Sequence, residues 1–342
     1  MFGHLERGDA TVQWVAFNLI CIIGFFSAVS TVAGQALKVT VSYTGVGPTQ
    51  LPVWVAKEAG IFSRNGLDVQ LIRAQAATSV MALLSGELNM IQGAAPAVVQ
   101  SNLRGFGTVY VAAGYVGFEY WLMSQRDIKS AEQLKGGLLG VSGLTGASAT
   151  ATQLVLRKLG LVPGKDTSVI VIGGTPERLI ALRSGKIQAT LLNPPTTFVA
   201  QREGFNVLAD LGTLPFQNNG VVTTRKFIND KPEVVRRYVK SQIEAVHLMK
   251  SERATGLKVL AKYMGGTSDQ ELLEKSYDAS VTEHTFPAKQ YPSQPGLKTV
   301  IDSLVADNPK AKEAKPEDFI DSQFIKELDD RGFIDNLKSK KS

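Results

Sequence analysis

Hydroxyl and amide side chains gather in short Gly-rich stretches of this chain, each just ahead of a run with helical periodicity. Thr44, Thr49 and Gln50 stand in Thr44-Gly45-Val46-Gly47-Pro48-Thr49-Gln50, and Thr78 with Ser79 opens a second such helix. Ser142, Thr145, Gly146 and Ser148 fall in Ser142-Gly143-Leu144-Thr145-Gly146-Ala147-Ser148, and Thr175 with Arg178 starts another helix. Asn193 precedes two prolines, and Ala94 holds the matching place in Gly93-Ala94-Ala95-Pro96. Such groups hydrogen-bond to oxygens without transferring protons, and the free N–H groups and dipole at a helix start favour carboxylate, sulfonate or phosphate oxygens. These thirteen residues are candidate ligand contacts, with Arg178 as the counter-charge. The 142–148 loop equally suits a helix cap and tight turn, and Arg178 an ordinary solvated arginine. Tyr43, Glu119, Tyr120 and Phe216 are candidates for an apolar or aromatic wall, though Tyr43 and Tyr120 fit a core as well.

Catalytic patterns fare worse. Gly140, Gly143 and Gly146 are spaced by three and no Lys-Ser/Thr pair follows, so this is no nucleotide-phosphate loop; no Gly-x-Ser-x-Gly elbow occurs either. His247 and His284 have no second ligand at metal spacing and no carboxylate pair nearby. Cys21 is the only cysteine and lies in the apolar leader, which leaves the remainder without a thiol nucleophile or a disulfide. No catalytic residue, cofactor or metal site is expected.

The elements that must position these loops repeat. Ala82-Leu83-Leu84-Ser85-Gly86-Glu87-Leu88-Asn89 and Ala181-Leu182-Arg183-Ser184-Gly185-Lys186-Ile187-Gln188 lie ninety-nine positions apart, and each is followed by a proline ten residues past its glycine, Pro96 and Pro195. A helix ending at Ser-Gly, then a short apolar strand, is one supersecondary unit used twice. Strands are expected at 37–43, 67–72, 138–141 and 169–172, with helices at 53–62, from 76, at 149–159 and from Thr175 as cap, an order that implies parallel pairing with right-handed crossovers. The fold class expected is therefore α/β in two lobes, each a mainly parallel sheet flanked by helices. Residues 120–124 and 220–224 are the candidate crossing strands. They divide the chain into a discontinuous first lobe, 37–122 plus 223–342, and a second lobe, 123–222. From Pro232 onward the pattern is helical, and this region is expected to pack on the first lobe. Two lobes invite a cleft, where small ligands usually bind.

Length and composition agree: 342 residues, 44% hydrophobic and 20% charged, suit two globular cores. No charge interrupts Val12 to Val32, and Ala33-Gly34-Gln35-Ala36 follows. That layout, residues 1–36, is a secretory signal cleaved after Ala33 or Ala36, or an uncleaved anchor; both place the protein in the periplasm. The net charge of +6 is mild, partly in the tail at Lys338, Lys340 and Lys341, and no cluster interleaves basic and aromatic residues, so nucleic acid is not an expected partner.

With these pieces placed, the sequence resembles the periplasmic solute-binding proteins of ABC importers in the nitrate/sulfonate/taurine group, the family also labelled NMT1/THI5-like or SsuA/THI5-like. The resemblance rests on Pro52-Val-Trp54-Val-Ala56-Lys-Glu58-Ala-Gly60-Ile-Phe62, Gly66-Leu67-Asp68-Val69, Leu84-Ser85-Gly86-Glu87, Leu134-Lys135-Gly136 before Gly140-Val141-Ser142, and Gly173-Gly174-Thr175-Pro176-Glu177-Arg178. The resemblance implies a type II, Venus-flytrap periplasmic binding protein that works as a monomer with an inner-membrane ABC permease and captures a small organic, anionic solute by cleft closure. A receptor for a thiamin-precursor pyrimidine or another heterocycle is the alternative, tested by Tyr43, Tyr120 and Phe216 as stacking groups; a periplasmic enzyme ranks below both. The sequence departs from the family at Asn89 and Gln188, where an acidic residue is usual, and lacks the cysteine-rich motif of the yeast-type pyrimidine synthases.

Overall fold

The computed structural model of the chain describes residues 35–144, 147–266, 269–305 and 308–339. Most of the expected leader, and Thr145 and Gly146 of the candidate site, lie outside the described residues. Strand β1 (Leu37–Tyr43) runs into the Gly47 loop, then α1 (Leu51–Glu58), α2 (Ile61–Arg64), β2 (Leu67–Arg73), α3 (Ala76–Ser85), β3 (Met90–Gln92), α4 (Ala95–Leu103) and β4 (Thr108–Ala113). The second run is β5 (Trp121–Ser124), β6 (Leu138–Val141), α5 (Ala147–Lys158), β7 (Ser168–Val171), α6 (Thr175–Arg183), β8 (Ala189–Leu192), α7 (Thr196–Arg202) and β9 (Asn206–Asp210). After β10 (Gly220–Thr224) come α8 (Arg225–Asp230), α9 (Pro232–Ser251), α10 (Arg253–Tyr263), α11 (Gln270–Ser280), α12 (Gln294–Leu304), α13 (Gln323–Asp330) and α14 (Phe333–Ser339).

Two five-stranded sheets result, ordered β2-β1-β3-β10-β4 and β7-β6-β8-β5-β9. The orders match position by position. In each sheet the first three strands are parallel and the fourth enters antiparallel. Even the register repeats: Val41 pairs with Leu71 in the first sheet, and Gly140 with Ile170, each ninety-nine positions on, in the second. This is a two-lobe α/β arrangement, each lobe built on a mixed five-stranded sheet.

The repeated Ser-Gly motif has a physical account. Gly86 and Gly185 take the left-handed conformation, φ +85° and +72°, which ends α3 and α6 without the Cβ penalty any other residue carries there. The amide side chain three residues later then pins the next strand. Asn89 Oδ1 accepts the Thr40 N–H at 2.8 Å, and Gln188 Oε1 accepts the Leu138 N–H at 2.8 Å. Both departures from the family pattern therefore serve the sheets.

The chain changes sheets within residues 114–120 and 211–219, which run side by side: Gly114 N donates to Asn219 O at 2.9 Å, Gly117 N to Phe216 O at 2.7 Å, and Leu211 N to Tyr120 O at 3.0 Å. The strands expected to cross are themselves sheet members, β5 of the second sheet and β10 of the first. Each completes a ladder that a bare connection would leave with unpaired N–H and C=O groups.

In the first sheet's core, Trp54 is fully buried between Tyr263, stacked at 4.6 Å, and the edge of Tyr43 at 5.7 Å. The C-terminal helices α9 to α11 join this cluster through Tyr238, Leu260 and Tyr277. A second cluster spans both halves, with Val98 and Tyr110 from the first and Leu139 and Val155 from the second, sealed by Leu297 and Val300 of α12. Among the described residues, no helix is long and apolar enough to cross a membrane.

Candidate functional site

Helix α6 begins one residue earlier than expected, at Thr175 rather than after it. Gly174 is the N-cap, in extended backbone, and Thr175 is the first helical residue with Pro176 beside it. Freed from capping, the Thr175 hydroxyl donates to Asn193 Oδ1 at 2.6 Å across the gap from β8. Arg178, one turn along, is 1% exposed; its Nη2 donates to the same Thr175 oxygen at 3.2 Å and its Nε to Gly174 O at 3.4 Å. Its Cζ lies 5.9 Å from the Tyr120 ring centroid.

Donor and acceptor logic orients this network. Because Arg178 has only donors, the Thr175 oxygen must accept from it, so the single hydroxyl proton goes to Asn193 Oδ1. The Asn193 NH2 is then the end left over, and Asn193, with Arg178, is a group that lowers the Glu119 pKa. Glu119 is 7% exposed, and burial lifts its pKa to about 7 against the opposing pull of Asn193 and Arg178. Burial likewise pulls Arg178 down and pushes Tyr120 up to about 12. Glu119 Oε2 and Arg178 Nη1 have no hydrogen-bond partner among the described residues.

The first sheet meets this cluster through the loop after β1. A Cβ at Gly47 would stand 3.6 Å from Asn193 Nδ2 and 3.7 Å from Pro194 O, so the loop backbone approaches the Asn193-Pro194-Pro195 turn to contact distance. Gly47 O accepts the Gln50 N–H at 3.1 Å, and Thr49 O accepts from Asn219 Nδ2 at 2.8 Å. Gln50 Oε1, Asn218 Nδ2 and Asn219 Oδ1 are buried without hydrogen-bond partners among the described residues. Buried polar atoms are normally paired, so these five leave hydrogen-bonding capacity unspent among the described residues.

Thr49, Gln50, Thr175, Arg178 and Asn193 thus come together. Ala94 caps α4 between Gly93, which donates to Gly220 O, and Ala95, which donates to Gln217 O, so its loop is stitched beside Asn218 and Asn219. Ser142 and Ser148 satisfy each other: Ser148 Oγ accepts the Ser142 N–H at 2.9 Å and lies 2.7 Å from Ser142 Oγ, which is the local, turn-forming role. Thr44 is half-buried, Thr78 is exposed, and Ser79 carries a buried hydroxyl with no partner among the described residues. Of the expected aromatic wall, Tyr43 packs on Trp54 and Phe216 stacks on Phe118 at 3.9 Å, both as core; only Tyr120 borders the polar cluster. Asn218 and Asn219 were not singled out from the sequence, and Glu119 was read only as wall. The run Gln217-Asn218-Asn219 ahead of β10, and an acid set between Phe118 and Tyr120, are the signals that point to them.

The family model described as NMT1/THI5 like matches residues 48–252, more than half of the chain. The chain belongs to the NMT1/THI5-like family. A Brachyspira hyodysenteriae protein described as an ABC transporter periplasmic binding protein is 31% identical over 98 residues, a stretch that spans only 28% of either chain. Two solved structures share the fold of this NMT1/THI5-like chain. The periplasmic aliphatic sulphonate binding protein SsuA of Escherichia coli has a TM-score of 0.66 at 16% identity, covering 83% of this chain and 92% of its own. The periplasmic nitrate-binding protein NrtA of Synechocystis PCC 6803 has a TM-score of 0.70 at 14% identity, covering 87% and 89%.

Proposed function

We propose that this chain is the extracytoplasmic binding component of an ABC-type importer, capturing a small organic, anionic solute between its lobes and releasing it unchanged to a membrane permease. One observation carries the reading: loops from two separate sheets converge on a single buried polar cluster, Gly47 to Gln50 from one side and Thr175, Arg178 and Asn193 from the other. Arg178, cationic and with one nitrogen unpartnered, is the counter-charge, and Thr175 and Asn193 hold it in place. The sulphonate- and nitrate-binding neighbours, and the ABC transporter relative, support the same reading. The protein works as a monomer in the periplasm, with residues 1–36 as its export signal or anchor. The lobes, drawn from sequence at 37–122 plus 223–342 and at 123–222, divide better within 114–120 and 211–219, where closure would bend the chain. It is not an enzyme: the cluster recognises oxygens and offers no activated nucleophile.

Isothermal titration of the full-length protein against sulfonates, carboxylates, nitrate and pyrimidines tests this. An anion is expected to bind, Arg178→Gln to weaken that binding at least about tenfold, as loss of a charge-assisted hydrogen bond predicts, and the solute to be recovered intact. A chemically altered solute overturns the reading.

A further inference from the structure

Away from the polar cluster, a cavity of about 230 Å³ lies between α9, α14 and the segment 283–288. Ile243 and Val246 of α9 and Ile334 and Leu337 of α14 give it aliphatic walls, and Lys250 and Glu283 stand in its lining. Going beyond the receptor reading and using none of its residues, we propose that this cavity is a second binding site, for a monocarboxylate with a short apolar tail. The tail lies among the four aliphatic side chains and the carboxylate sits on Lys250.

Size and charge select that ligand. An apolar cavity of about 150 Å³ already admits benzene, whereas drug-sized molecules occupy pockets above about 300 Å³, so 230 Å³ suits a chain of a few carbons with one polar head. The Lys250 ammonium has three donors; one pairs with Glu283 and a second with Phe286 O at 3.1 Å, so the third has no acceptor among the described residues. Glu283 does not bar an anion. Its side chain is 68% exposed against 21% for Lys250, so the carboxylate can turn to water while the ammonium stays in the wall. An amine in the same place would face Lys250 across the same short distance and be repelled. The segment that carries Glu283 also braces the start of the sheet-to-sheet connection. Ala288 N donates to Glu283 Oε1 at 2.9 Å, while Thr285 O accepts the Val116 N–H at 2.8 Å and Gln290 O the Ala113 N–H at 2.7 Å. The rings of Phe286 and Tyr115 meet edge to face at 5.2 Å. A carboxylate that draws Lys250 away from Glu283 and Phe286 O therefore shifts a segment on which residues 113–116 rest.

Isoleucine-methyl and backbone-amide NMR of the full-length protein reads this site directly, with hexanoate as the probe and acetate, hexanamide and hexylamine as comparisons. Hexanoate is expected to shift the Ile243 and Ile334 methyl signals and the Val116 amide together in one saturable titration. Its affinity is expected to exceed that of acetate, which has no tail, and of hexanamide, which has no charge, by at least about fivefold each. Lys250→Met is expected to weaken hexanoate by a similar factor. The ligand comparison in wild type decides alone should that variant fail to fold. Acetate, hexanamide or hexylamine binding as tightly as hexanoate overturns the proposal. So do hexanoate shifts that leave Ile243 and Ile334 unmoved, or that move them without the Val116 amide. All of these outcomes leave the receptor reading standing, since that reading rests on the Arg178 cluster.

Discussion

Glu119 concentrates the energetics of the site in one side chain. Its folded pKa of about 7 lies above the ordinary 4.5, so the unliganded fold favours its neutral form. The stability this group allows is full below about pH 4.5 and is lost as pH rises through 7, because above that point the fold must hold a desolvated carboxylate. Glu119→Gln removes the titration. Without solute, the variant is expected to match wild type near pH 4.5 and to exceed it by up to about 3 kcal/mol above pH 7.5, by denaturant unfolding. A constant difference across that range would show that burial of the carboxyl is not the cause. The sequence offered Arg178 as a candidate counter-charge or an ordinary solvated arginine, and its near-complete burial was decided by the fold. Glu119 was not legible, since burial of an acid depends on what packs around it.

At the scale of elements, the two pinning amides make a matched pair. Each accepts one backbone N–H of a central parallel strand, Asn89 from Thr40 and Gln188 from Leu138, both at 2.8 Å. Asn89→Ala and Gln188→Ala are each expected to lower stability by about 1–2 kcal/mol, the cost of leaving a half-buried N–H without its acceptor. Asn89→Asp keeps an acceptor in place and is expected to lose much less, which thermal unfolding can read. Equal losses for Asn89→Ala and Asn89→Asp would sink the account. The Ser-Gly ends, the β1 and β6 spans and the parallel pairing were readable because glycine's left-handed turn and strand alternation are local. The crossing strands were misplaced because an antiparallel insertion is invisible locally: 220–224 joins β3 and β4, residues more than a hundred positions earlier.

For the molecule as a whole, α7 of the second half reaches α11 near the first sheet. Arg202 pairs with Asp269 at 2.5 Å and Glu271 at 3.3 Å, and Lys275 Nζ lies 4.7 Å from the Phe198 ring centroid. These are exposed contacts, weakened by solvent and salt, so each adds little. If they help hold the halves together, Arg202→Ala is expected to weaken solute binding by about two- to fivefold at low salt and by less at 0.5 M salt, with the unfolding midpoint little changed. An equal loss at both salt concentrations would point instead to altered packing of α7.

By itself the sequence determined the duplicated α/β plan and the membership of the family, and put forward Thr49, Gln50, Thr175, Arg178 and Asn193 as candidate contacts, because turn glycines, helix starts and strand periodicity are written within a few residues of each other. Only the tertiary structure decided that Ser142 and Ser148 serve one another, that Tyr43 and Phe216 belong to cores, and that Glu119, Asn218 and Asn219 join the polar cluster. Those outcomes depend on burial and on partners brought from distant segments, which fix both the pKa of a carboxyl and the free end of an amide.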